Sequence, residues 1–230
     1  MWERFGFEAI VFTHGDIPEA ALEFTEQKTN AALYPLESLG GYRDDTIVQL
    51  SRLYAACVSD EYLVTGDIDM FPLSDYFTGQ FTGSEEPKFI GYDITGYSEI
   101  PICYIGMSAD KWRHIMNINS GDYMYFIERD LKTYPYSATD FNSYWCTDQQ
   151  IITKRLKAYG LDKCTSIERP GVTGRICRSG WSNPQDHNIL IDCHAMRSGF
   201  HPEYFDMNMD VIKHVTSGWE WMYDYLKNFE

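Results

Sequence analysis

The chain lacks any run approaching the ~20 uninterrupted apolar residues that a membrane-crossing helix needs. It is also poor in positive charge, with 19 Lys and Arg against 34 Asp and Glu and a formal charge of -15. Such a surface repels polyanions and argues against a nucleic-acid partner. A small anionic substrate stays admissible where a divalent cation bridges it to carboxylates. The six cysteines (Cys57, Cys103, Cys146, Cys164, Cys177 and Cys193) form no C-x-x-C pair, and several sit inside apolar runs. That pattern disfavours a zinc site and points to free thiols in a reducing compartment. No repeat, low-complexity stretch or Pro/Gly/Ser linker divides the chain, so a single domain over residues 1–230 is expected. The start of the chain has neither the basic residues nor the apolar run of a secretory signal, and the expected location is cytoplasmic.

What is present is an alternation of short apolar segments and amphipathic ones. Phe7–Phe12 reads as a strand, followed by a helix that Asp16 caps, with Pro18 and Glu19 in its first turn. Residues 29–43, rich in Tyr, Pro and Gly, read as an irregular loop. A second helix is expected from Asp45 to Val58, because Ile47, Leu50, Tyr54 and Cys57 follow the spacing of one buried face. Strands are expected at Tyr62–Val64, Lys88–Ile94 and Ile102–Ile105. Helices are expected over 108–118, over 121–132, from a Thr147-x-x-Gln150 capping box to Tyr159, and from Asn208 onward. Strands alternating with helices predict an α/β fold around a largely parallel sheet.

The most informative feature is a short apolar strand that runs out at Thr65-Gly66-Asp67-Ile68-Asp69. In open α/β sheets, ligands bind where strands end at their carboxyl side. Strand alternation would turn Asp67 and Asp69 to one side and Ile68 into the core. Two hard carboxylates aimed together suit Mn²⁺ or Mg²⁺ carrying diphosphate oxygens, and such a metal neutralises charge building on a departing nucleotide. The bare D-x-D pattern is common, and a solvated turn explains it equally well. Its setting is more specific: the helix segment Arg52-Leu-Tyr-Ala-Ala-Cys57, a Ser59-Asp60 turn, the strand, then Asp67-Ile-Asp-Met-Phe-Pro-Leu-Ser74.

That segment resembles the metal-binding segment of GT-A glycosyltransferases, including small viral and bacterial members. The likeness extends through Arg175-Ile-Cys-Arg178-Ser-Gly-Trp181 and Ile191-Asp-Cys-His194. The resemblance implies a Rossmann-like GT-A fold with a mixed, mostly parallel sheet flanked by helices. It implies transfer of a sugar from a nucleotide-diphospho sugar, expected to be a UDP-sugar, to the hydroxyl of a glycan or other acceptor. Asp67 and Asp69 would hold the metal, with His194 as a further ligand and His201 as the next candidate. Arg52 would contact the donor, and Arg197 a phosphate oxygen. Asp148 resembles the acidic residue near the acceptor; an inverting enzyme needs such a base, and inversion is mildly favoured. As plain structure, Asp148 would instead stabilise its helix N-terminus, and Arg52 would be an ordinary surface arginine. Tyr104, Gly106 and Met107 fall where the family runs a strand beneath the donor sugar. Trp145 and Trp181 are candidates for sugar stacking, although the core is favoured for both.

The first strand of a GT-A domain has no counterpart here, so an N-terminally truncated domain with an incomplete nucleobase pocket is expected. Two other readings compete. A haloacid-dehalogenase-type phosphohydrolase also uses paired aspartates, but on its first strand and before a small hydroxylic pair rather than Met70-Phe71-Pro72. The alternative retained is a non-catalytic sugar- or nucleotide-binding domain that keeps the fold.

Overall fold

The computed structural model describes residues 2–68, 70–72, 74–81, 86–91, 99–168, 175–176 and 192–194. In chain order they form a 3₁₀ turn (Trp2–Phe5), β1 (Ile10–His14), α1 (Glu19–Lys28), β2 (Ala32–Leu36) and α2 (Asp44–Ser51), which continues as a 3₁₀ turn (Arg52–Cys57). Then come β3 (Tyr62–Val64), β4 (Met70–Pro72), α3 (Tyr76–Gln80), β5 (Lys88–Gly91), β6 (Ile105–Ser108), α4 (Ala109–Met116) and α5 (Tyr123–Thr133). The order closes with α6 (Phe141–Trp145), α7 (Thr147–Tyr159), a 3₁₀ turn (Leu161–Lys163), β7 (Thr165–Glu168), β8 (Arg175–Ile176) and β9 (Asp192–His194). This is a mixed α/β architecture in two compact units, one of residues 8–66 and 81–168, the other of 1–7, 67–80 and 169–230.

In the larger unit β1 and β2 pair in parallel, Ile10 opposite Ala32. A four-stranded sheet runs in the order β3-β6-β5-β7. β6 is antiparallel to both neighbours and β5 is parallel to β7. The sheet is therefore mixed, where the alternating pattern predicted it mostly parallel. Alternating apolar and amphipathic segments mark strands and helices but not strand direction, which only the pairing of β6 against both neighbours decides. Residues 29–43, expected to be a loop, contain β2, because Leu33, Tyr34 and Leu36 have a parallel partner in β1.

The helices follow the buried face read from sequence, with altered ends. Ile47, Leu50 and Tyr54 are fully buried and pack with Trp112 and Met116 of α4, Phe126 and Ile127 of α5, and Ile151 and Leu156 of α7. Each such side chain contributes about 1.5–3 kcal/mol, an upper figure for a compact unfolded state. The helix predicted over Asp45–Val58 breaks after Ser51 and tightens to 3₁₀; Tyr54 leaves the helical region (φ -114°, ψ 15°). Its hydroxyl donates to buried Asp130 at 2.6 Å. Asp130 also receives Arg129 and Arg155, so a carboxylate without solvent is fully compensated. α1 starts without a side-chain cap, so Asp16 does not cap it. α4 and α5 are capped by Ser108 and Asp122, whose oxygens accept from Lys111 N and Tyr125 N. Thr147 is the first residue inside α7 rather than its cap; its hydroxyl donates to the Ser143 carbonyl.

The smaller unit is built on a three-stranded sheet in the order β4-β9-β8, with β4 antiparallel and β8 parallel to β9. Met70, Pro72 and Asp192 are buried there. The segment after Asn208, expected to be helical, lies outside the described residues.

Candidate functional site

β3 is fixed at its carboxyl end by Thr65. Its amide donates to Ile105 O at 2.9 Å, and its hydroxyl accepts from Ile105 N at 2.9 Å. The same hydroxyl donates to Ile102 O at 2.7 Å. Thr65 is 6% exposed, so these bonds run in a dry environment and hold the chain firmly just before Asp67. Sequence reasoning did not single out Thr65; a hydroxyl residue between an apolar strand and a glycine was the available signal.

After Thr65 the chain stops being a strand. The amide of Met70 donates to the carbonyl of Asp67 at 3.0 Å, which closes a turn. Ile68 is 94% exposed, not turned into the core. Strand alternation therefore does not reach Ile68, and Asp67 stands at the start of a turn. Asp67 is half-buried and Asp69 lies outside the described residues. Immediately beyond, β4 pairs with β9 so that Met70 stands opposite His194, Phe71 opposite Cys193 and Pro72 opposite Asp192. The backbone of His194 is thus carried across the ladder from the residue that follows Asp69. Arg197, His201 and Trp181 lie outside the described residues. Among the described residues no group of three His, Cys, Asp or Glu side chains gathers to hold a metal. The half-buried Asp67 carboxylate is an oxygen donor of the kind that Mn²⁺ or Mg²⁺ takes.

In the larger unit the structure joins two residues that had been assigned separately. Arg52 Nη2 lies 2.8 Å from Asp148 Oδ2. The Asp148 side chain is 2% exposed and that of Arg52 20%. The same guanidinium donates from Nε to Gln49 O at 3.1 Å and from Nη1 to Gly66 O at 3.3 Å. Arg52 is therefore not an ordinary surface arginine: it ties the end of α2 and the carbonyl before Asp67 to the first turn of α7. Asp148 Oδ1 also accepts from Gln149 N at 2.7 Å, which serves the helix N-terminus. A guanidinium at this distance stabilises the charged carboxylate.

Three further expectations resolve. Tyr104 and Met107 are fully buried in the core. Gly106 does leave space for a close approach, but the chain's own aromatic rings take it. A Cβ at Gly106 would lie 2.5 Å from the Phe81 ring and 3.0 Å from the Tyr62 hydroxyl. Trp145, for which the core was favoured, is 39% exposed because α6 presents it outward beside Phe141. Among the described residues four cysteines are free, Cys103 buried and Cys57, Cys146 and Cys164 half-buried. Burial pushes the Cys57 and Cys164 thiols up to about 11, so they are unreactive as nucleophiles near neutrality. No described helix is long and apolar enough to cross a membrane.

No protein-family model matches this chain, and no curated protein matches it.

Proposed function

We propose that this chain is a metal-dependent glycosyltransferase domain of the GT-A type, cytoplasmic, acting on a nucleotide-diphospho sugar and a hydroxyl acceptor. The observation that carries the reading is the β4–β9 register, with His194 opposite Met70 directly after the Asp67-Ile68-Asp69 turn. That register brings the backbone of a residue more than 120 positions away alongside the end of the Asp-x-Asp segment, which a solvated surface turn would not require. In this reading Asp67, Asp69 and His194 hold Mn²⁺ or Mg²⁺, and Arg197 meets a phosphate of a UDP-sugar. The metal, when bound, neutralises the charge that develops on the leaving diphosphate.

The Arg52–Asp148 pair refines two roles. Arg52 acts as a positioning residue, because its guanidinium is committed to Gly66 O, Gln49 O and Asp148. Asp148 keeps its place as the acceptor-side carboxylate; with inversion favoured, it would orient and then deprotonate the acceptor hydroxyl.

The burial of Asp148 favours a second reading, a nucleotide- or sugar-binding domain without transfer, since a carboxylate 1% exposed and held by arginine is an unready base. Calorimetric titration of UDP, with GDP as comparator, tests the first reading in Mn²⁺ and then in EDTA. Binding is expected to need the metal and to be lost in Asp69→Ala. Equal binding in EDTA would end the metal-dependent reading. Metal-dependent UDP binding, combined with no turnover of any UDP-sugar by the folded chain, would select the second reading.

A further inference from the structure

The short helix α6 turns two aromatic rings outward. Phe141 is 49% and Trp145 39% exposed, and their rings lie at 14° to one another with centroids 5.5 Å apart. At i and i+4 they share one helix face and stack on one another, which leaves an outer ring face and the ring edges open to solvent. Tyr144 meets the Phe141 ring edge-on, with centroids 5.5 Å apart, and its own face is taken by the Arg43 guanidinium at 4.3 Å.

The flank next to these rings is of opposite character. A cavity of about 420 Å³ is lined there by Ser137, Asp140, Asn142, Ser143 and Gln150, with Tyr136. Asn142 follows Trp145 around the helix by roughly 60° at 3.6 residues per turn, so the polar wall adjoins the aromatic face. The lining offers hydroxyls, amides and one carboxylate, and no cation. α7, whose first turn carries Asp148, begins two residues after Trp145.

We propose that α6 is the seat of a neutral saccharide, the acceptor class of the transferase reading on which this inference rests. A pyranose has a flat face of C–H bonds that stacks on aromatic rings, and an edge of hydroxyls that hydrogen-bonds to amides and carboxylates. Both halves of that chemistry are present side by side. The absence of a cation from the lining, in a chain of formal charge -15, selects neutral over acidic sugars. The area selects a small ligand over a protein. Two half-exposed rings offer on the order of 200 Å², far below the roughly 800 Å² per partner of a stable protein interface.

The test is binding of the full chain, without metal or nucleotide, to an array of neutral hexose, pentose and deoxyhexose oligosaccharides. Calorimetry on the best of them follows. Wild type is expected to bind at least one; Phe141→Ala and Trp145→Ala should each weaken it at least tenfold. Trp145→Phe, which keeps a ring, should restore most of the affinity, and Tyr125→Ala, an exposed ring on α5, should leave it unchanged. Circular dichroism confirms that each variant is folded. No binding to any array member, or undiminished binding by folded Trp145→Ala, would overturn the proposal. So would a wild-type dimer in sedimentation that Trp145→Ala dissociates, which would make the rings a contact between copies. Because donor and metal are left out, glycan binding without UDP binding would sink only the transferase reading. UDP binding without glycan binding would sink only this one.

Discussion

Arg52 and Asp148 form a buried ion pair of 2.8 Å that joins the end of α2 to the start of α7. Its consequence is that neither residue can be altered as an isolated functional group. Removing Arg52 leaves a carboxylate at 2% side-chain exposure without its charge partner, and also frees the Gly66 carbonyl.

Arg52→Ala is therefore expected to lower unfolding stability by about 3 kcal/mol, the lower end for breaking a buried pair, since the arginine keeps some solvent. Arg52→Lys should recover little, as a single ammonium cannot replace guanidinium nitrogens that reach Gln49 O, Gly66 O and Asp148 separately. Asp148→Asn keeps the shape and should cost less. Urea denaturation of the two single variants and the double variant reads this directly: strong non-additivity is expected, and additive losses would show that the pair is not coupled.

Thr65→Val keeps the volume and removes the hydroxyl that serves Ile105 N and Ile102 O. The loss should be about 1–3 kcal/mol, because one donor and one acceptor are left in a dry place. Amide hydrogen exchange should quicken at Ile105 ahead of the rest of β6. Unchanged exchange there would mean that the backbone bond from Thr65 alone holds the strand end.

Gly106→Ala places a methyl 2.5 Å from the Phe81 ring, and Phe81 is only 2% exposed. Overpacking of this kind costs about 1–3 kcal/mol. Pairing it with Phe81→Leu should recover part of the loss. If Gly106→Ala instead weakened UDP binding with no loss of stability, the glycine would be a ligand-approach position after all.

Burial pushes the Tyr62 hydroxyl up to about 12 from its ordinary 10.0. In the unfolded chain it ionises first, so rising pH favours unfolding. Full stability holds below about pH 10 and is lost as pH climbs toward 12. Tyr62→Phe should flatten that part of the stability–pH curve. At pH 7 it should be close to neutral, because the hydroxyl is buried with no hydrogen-bond partner among the described residues. A wild-type curve that Tyr62→Phe leaves unaltered would place the alkaline transition elsewhere.

Local patterns carried far, up to the point where partners had to be chosen. The apolar spacing of Ile47, Leu50 and Tyr54 fixed a buried helix face, since side chains three and four apart must share a side. Asp122 and Ser108 cap helices near the expected boundaries for the same local reason. β2 was missed because Tyr, Pro and Leu there look like a loop until β1 lies alongside. β4 and β9, three residues each, were missed because so short a segment carries no period of its own. Ile68 was misplaced because alternation was extended one turn beyond the strand it belonged to.

From the sequence alone came the excess of negative charge, the lack of a long apolar run, the α/β character and the strand that runs out just before Asp67. These depend on residue identity and on neighbours a few positions away. Only the tertiary structure decided that β6 runs against β3 and β5, that Arg52 and Asp148 are partners, and that His194 stands opposite Met70. Each of these joins segments remote in the chain. Such a choice is made by the total burial and hydrogen bonding of the assembled chain, which no local window of residues contains.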